Sequence, residues 1–364
     1  MRRSSRVVFL HIGAPKTGTT YIQERLAENA RELAEQDVHY PSKGAFFPAP
    51  LFHFRAALDL LDQDWGGDPG HAEGTWPTMV RQVRRRTGTV IVSHEILATA
   101  PPEKIARVMR DIEGSEVHII YTARDLVRQI PAAWQESIKQ GRTWRYRPFL
   151  NKVQRGDAWF MKAFDLPTVL NNWSRDLPPE RVHVITVPPP GSEPGLLWNR
   201  FCRVVGIERD WAPRESESRN ESLGIAETEL LRRLNERLGR KARSEGAHDA
   251  LIQKLLNEGE LSSTRSRRVV LPPKRFDWAD EQAQLWIDWI EGAGVDVVGD
   301  IADLRPERPD PTDWLNPDKV SGKALTEAGL QALTAMTREA ATRPDPAREL
   351  GARIRNRTER LRNR

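Results

Sequence analysis

A single cysteine, Cys202, stands in 364 residues. It excludes an internal disulfide and leaves no cysteine cluster for zinc or iron–sulfur chemistry. Long apolar runs are missing too. Val7 to Leu10 is interrupted by His11 and followed by Gly13-Ala14-Pro15-Lys16, which is too short a run for a secretory signal. No later stretch approaches the roughly 20 apolar residues of a membrane span. A cytoplasmic protein without a membrane span is the expectation. Nor is there a large charge of one sign: 56 basic against 51 acidic residues leave a net +5. That excess is too small and dispersed for a nucleic-acid binder, though it suits an anionic ligand. Internal repeats are absent.

What is present is an alternation of short β-rich runs with helical patterns. Strands are expected at 7–12, 37–41, 89–93, 117–121 and 182–187. Helices are expected at 19–35, 52–63, 76–86, 102–111, 125–140 and 166–176, then at 196–205, 226–257 and 280–291. Strands alternating with helices predict an α/β fold of three layers, with a central, mainly parallel sheet and a helical C-terminal part. Domain length and the Pro-rich stretch Arg305 to Pro311 predict one domain over 1–304. A linker and a basic tail, partly helical or disordered, would follow over 305–364. Of the 12 tryptophans, Trp286 and Trp289 fall at helical spacing beside Ile287 and Ile290, which reads as core packing.

The most informative stretch is Gly13-Ala14-Pro15-Lys16-Thr17-Gly18-Thr19-Thr20-Tyr21, between the first strand and the first helix. Backbone N–H groups and the positive end of a helix converge there on an anion. The glycines let the backbone approach phosphate oxygens, three threonine hydroxyls can donate, and Lys16 brings a point charge. A Walker-type loop places its lysine after the second glycine, whereas Lys16 precedes Gly18.

Two further strand ends carry chemistry-bearing residues. The strand at 117–121 runs into Thr122-Ala123-Arg124-Asp125, and guanidinium suits bidentate phosphate binding. A structural salt bridge from Arg124 to Asp125 is the plainer alternative. The strand at 89–93 leads through Ser93 into His94 and Glu95, at the carboxyl edge where open α/β sheets bind ligands. Histidine is the natural group to take a proton from an acceptor near neutral pH, so His94 is the expected base, with Glu95 competing for the role. His53 is a weaker pocket candidate, with a core role the plainer reading.

Pro15-Lys16-Thr17-Gly18-Thr19-Thr20 followed by Tyr21 resembles the 5'-phosphosulfate loop of the sulfotransferases that use 3'-phosphoadenosine 5'-phosphosulfate (PAPS). The resemblance implies a P-loop-type fold and transfer of a sulfuryl group to a hydroxyl or amine on a small-molecule or glycan acceptor, with no metal. It also implies that Lys16 reaches the leaving oxygen, that Thr17, Gly18, Thr19 and Thr20 hold the 5'-phosphate, and that Tyr21 lies near the adenine. Arg124 matches the family's 3'-phosphate arginine, and Ser93-His94 resembles the Thr-His that carries the base. Other branches use a glutamate, which here is Glu95.

The sequence departs from the family at three positions. Ala132 stands eight residues after Arg124 where a serine is usual, Leu126 replaces a proline, and Val92 replaces a lysine. Arg128, or the run Arg265-Ser266-Arg267-Arg268, would supply the missing phosphate contact, with Ser137 a weaker candidate. Two other readings remain: a P-loop phosphotransferase, and a degenerate nucleotide-binding module without catalysis.

Overall fold

The computed structural model describes residues 6–44, 47–157, 159–216, 223–243, 266–308, 310, 312 and 314–342. Strand β1, Val7–Gly13, lies at the middle of a six-stranded sheet. The others are β2 (Val38–His39), β3 (Thr89–Ser93), β4 (Glu116–Ala123), β5 (Val182–Thr186) and β6 (Asp296–Val298). Their order is β2-β3-β1-β4-β5-β6, and every pairing is parallel. Chain direction therefore puts the carboxyl ends of β1, β3 and β4 side by side at one edge, where the connections diverge. An α/β sheet of this kind binds ligands at such a divergence.

Alternation along β1 explains why both faces are covered. Val8, Leu10 and Ile12 enter one core and Phe9 the other. The Phe9 face is closed by α1 (Thr19–Glu28), α2 (Ala30–Glu35) and a later helix, α10 (Leu196–Val205), through Ile22, Leu26, Leu33, Trp198 and Phe201. The Val8 face is closed by α3 (Ala49–Leu60), α4 (Thr75–Arg84), α5 (Pro102–Asp111), α6 (Leu126–Lys139), α7 (Tyr146–Gln154), α8 (Trp159–Phe164) and α9 (Leu166–Trp173). The C-terminal part is helical, with α11 (Ile225–Arg243, broken at Gly239), α12 (Phe276–Ala293) and α13 (Gly322–Thr342). The three-layer α/β architecture expected from the sequence is the one observed. Among the described residues no helix is long and apolar enough to cross a membrane.

Several elements differ from the sequence expectation. The helix expected over 19–35 is two helices, because Asn29 leaves helical geometry at φ −107°. Its amide donates to the carbonyls of Arg25 and Arg214 and accepts from the Arg214 N–H. The strand expected over 37–41 shrinks to two residues. Strand β6 and helices α7 and α8 were not anticipated, α12 starts four residues earlier than periodicity placed it, and α13 lies in the tail expected to be partly helical or disordered. Of the helix expected over 226–257, residues 244–257 lie outside the described residues. Past residue 304, Asp318 accepts from the N–H groups of Tyr146 and Arg147 and so caps the start of α7.

Candidate functional site

The loop after β1 is built to expose amides. Gly13 (φ +131°) and Gly18 (φ +90°) adopt backbone conformations that L side chains rarely take, and a Cβ on Gly18 would meet Leu197 Cδ2 at 2.5 Å. The loop's carbonyls are tied inward. Thr122 Oγ1 donates to Gly13 O (2.9 Å), Gln129 Nε2 to Pro15 O (2.8 Å) and Arg124 Nη1 to Lys16 O (2.9 Å). Across a planar trans peptide the next N–H points the opposite way. The amides of Lys16 and Thr17 therefore face away from β4 and α6. Gly18 is also the N-cap of α1, so the helix's positive end is added at the same place.

Two carboxylates flank Lys16. Its Nζ lies 2.9 Å from Glu136 Oε2 on α6. The second is Glu95, which follows β3. Burial pushes its carboxyl up, but His94, its own backbone N–H, the Lys16 charge and the Thr19 hydroxyl together outweigh that, and the group is held below the usual glutamate value. Glu95 is therefore ionised at neutral pH and faces the loop through Thr19 and Lys16. Gln23 Nε2 reaches its Oε2 at 3.4 Å while also reaching Ser93 Oγ at 3.3 Å.

His94 is arranged differently. Its Nδ1 accepts from the Ile96 N–H at 3.3 Å, capping the short turn Glu95–Thr99, and its ring lies against Phe54. A neutral imidazole whose Nδ1 accepts must carry its proton on Nε2, so its second nitrogen is a donor. Burial lowers the pKa of His94, opposed by Glu95.

Arg124 follows β4 and forms no salt bridge among the described residues. The Asp125 salt bridge goes to Arg128 instead, and Asp125 Oδ1 accepts from the Arg128 N–H, capping α6. The Nε of Arg124 is buried and has no hydrogen-bond partner among the described residues. Burial, reinforced by Arg128, lowers its pKa to about 10, which still leaves it charged at neutral pH. The guanidinium of Arg128 is already engaged with Asp125, Pro188 O and Val187 O. Ser137 Oγ donates to Trp134 O within its own helix. Arg265 lies outside the described residues. Tyr21 is half-buried on α1 and packs against the core on the Phe9 face, its hydroxyl accepting from Arg25, whose guanidinium lies over Trp198 at 4.8 Å.

Beneath the loop runs a buried polar seam that sequence reasoning missed. His11 Nδ1 lies 2.8 Å from Ser93 Oγ, and its Nε2 lies 3.5 Å from Thr122 Oγ1. Thr122 in turn bonds Thr17. The seam links the loop to the strand end that carries His94 and Glu95. Lys16, Thr17, Thr19, Glu95 and Arg124 are thus brought to one edge, with Gln23, His11, Thr122 and Glu136 added to them. His53 is a core residue: stacked on Tyr40, it donates from Nε2 to Pro41 O and accepts at Nδ1 from the Ser93 N–H.

Burial lowers the pKa of His11 to about 4 and of His53 to about 3. Both folded values lie below the unfolded value near 6.5, so between those limits the unfolded chain binds more protons. Their contribution is complete above about pH 6.5 and is lost as pH falls toward 4, by up to about 1.4 kcal/mol per pH unit for each histidine. The thermal midpoint is expected to drop between pH 6.5 and 4.5, with a shallower drop in His11→Gln. A wild-type midpoint unchanged over that interval would refute the assignment.

No protein-family model matches the chain, and no curated protein matches it. Among solved structures, the crystal structure of a sulfotransferase from Alicyclobacillus acidocaldarius aligns at 16% identity over 70% of this chain and 97% of that one, with a TM-score of 0.40. A likeness of that degree leaves the site to be judged on its own residues.

Proposed function

We propose that the protein is a sulfotransferase that moves a sulfuryl group from PAPS to a hydroxyl or amine acceptor. The observation that carries this reading is the joint placement, at one sheet edge, of three things: an amide-lined loop bearing Lys16, an ionised Glu95 beside it, and an Arg124 whose Nε has no partner. The loop amides with Thr17, Gly18, Thr19 and Thr20 hold the 5'-phosphate. Arg124 takes the 3'-phosphate, and its unpartnered Nε is the donor that this phosphate would satisfy. Tyr21 lies against the adenine.

Transfer is in line. The acceptor oxygen or nitrogen attacks sulfur, the bond from sulfur to the bridging phosphate oxygen breaks, and its electron pair leaves with 3'-phosphoadenosine 5'-phosphate (PAP). Lys16 neutralises the charge that builds on that oxygen. Glu95 accepts the acceptor's proton, a role His94 cannot fill while its Nδ1 is a cap acceptor and its Nε2 carries the proton. His94 then orients the turn that bears Glu95.

The rival phosphotransferase would need magnesium. Incubation with PAPS carrying radiolabelled sulfate and a panel of hydroxyl and amine acceptors separates the readings. Label is expected to move to an acceptor at a rate that EDTA does not change. A strict magnesium requirement, with phosphoryl rather than sulfuryl transfer, would replace this reading with its rival. Tight nucleotide binding without any turnover would favour the non-catalytic module.

A further inference from the structure

Three charges crowd the free end of Lys16: Glu136 and Lys139 on α6, and Glu95 after β3. Glu136 holds the ammonium at 2.9 Å, with the two side chains 33% and 22% exposed, and its other oxygen accepts from Gln140 Nε2 at 3.1 Å. Lys139, one turn further along α6, interacts through charge with both Glu136 and Lys16. The Glu136 carboxyl would be pushed up by burial, but Lys16 outweighs that, with smaller help from Lys139 and Gln140, and holds it below its usual value. Nothing in the sequence motif marks Glu136, which lies 120 residues from Lys16 in the chain.

A lysine with one flexible stem cannot pair fully with a carboxylate on α6 and with a bridging oxygen over the loop at the same time. Any polyanion entering the site therefore competes with an ion pair already made. Resting on the sulfotransferase reading, we infer that Glu136 is a positioning residue, a carboxylate latch that holds the Lys16 ammonium against α6 in the free protein and releases it to the phosphosulfate when the donor binds. Lys139 then remains beside Glu136 to neutralise it. The latch makes the cradle a poor trap for simple anions. A lone sulfate or phosphate must break the pair for little return, whereas a nucleotide that also engages Arg124, in the turn just before the same helix, gains enough elsewhere to do so.

Isothermal titration of PAP into wild-type protein, Glu136→Gln, Lys16→Ala and the double variant tests this. A part-exposed ion pair of this kind contributes up to about 1 kcal/mol, so Glu136→Gln is expected to bind PAP about fivefold more tightly. Glu136→Ala, which cannot hold the ammonium either, moves in the same direction. If the latch acts through Lys16, the gain disappears when Glu136→Gln is made in the Lys16→Ala background, which separates it from a general loss of negative charge. Thermal midpoints of all variants confirm that they are folded. Unchanged or weaker binding by folded Glu136→Gln, or a gain that persists without Lys16, overturns the latch and leaves the donor assignment standing. Wild-type protein that binds no PAP overturns the donor assignment and the latch with it.

Discussion

Lys16→Ala is expected to lower sulfuryl transfer by about a hundredfold to a thousandfold, the scale of losing one preorganised charge at a developing oxyanion. PAP affinity should fall far less. The asymmetry follows from the geometry. In the ground state Lys16 already has a partner in Glu136, so handing it to the donor replaces one ion pair with another and yields little net binding. In the transition state, negative charge accumulates on the bridging oxygen, and the ammonium then stabilises something the ground state lacks. The expected signature is a drop in kcat with KM for the donor changed by only a few fold. Lys16→Arg restores charge without the compact geometry and is expected to recover only part of the loss. If Lys16→Ala turns over normally, the loop is not a catalytic phosphosulfate cradle.

The second large effect is expected at Glu95. Glu95→Gln keeps the shape of the side chain and its approach to Gln23 but removes the basic oxygen. Turnover should fall by about 10² to 10⁴, the usual scale for general base catalysis, with PAP binding within a few fold of wild type. His94→Ala removes a cap on the Glu95–Thr99 turn and a contact with Phe54, so a milder loss is expected, of about tenfold. The pH profile adds an independent check. Since His94, the Glu95 backbone N–H, Lys16 and Thr19 together outweigh burial and hold the Glu95 carboxyl of the free protein below its ordinary value, the acid limb of kcat/KM should lie below the usual glutamate range. If Glu95→Gln is nearly silent and His94→Ala abolishes transfer, the two roles are exchanged.

The parts of the site legible in the sequence are those packed into single strand–turn–helix stretches. Val7 to Tyr21 carries its strand, its glycines, its lysine and its helix start in fifteen consecutive residues, and β4 into Arg124 does the same on a smaller scale. The parallel sheet was legible because its inner strands are short runs of β-branched residues bounded by helical periodicity. Glu136 was not legible, since its meaning lies in a partner 120 residues away. The seam from Thr17 through Thr122 and His11 to Ser93 joins three strands and a loop that only the β3-β1-β4 order brings together. The break at Asn29 depends on Arg214, 185 residues on. Strand β6 has three residues, one of them the exposed Asp296, and carries no periodicity from which to read it. Arg124 and Arg128 look alike in sequence; only the structure separates the guanidinium with an unpartnered Nε from the one bound to Asp125 and the end of β5.

The central claim is that this edge of the sheet recognises a nucleotide with phosphates at both ends of its ribose, and the most direct measurement is a calorimetric comparison of PAP with AMP. Arg124 should contact the 3'-phosphate that AMP lacks, and a charge-assisted contact of this kind is worth roughly 1.5–3 kcal/mol. PAP is therefore expected to bind at least about tenfold more tightly than AMP, and Arg124→Ala to erase most of that preference. Equal affinities for PAP and AMP in the wild-type protein would contradict the assignment.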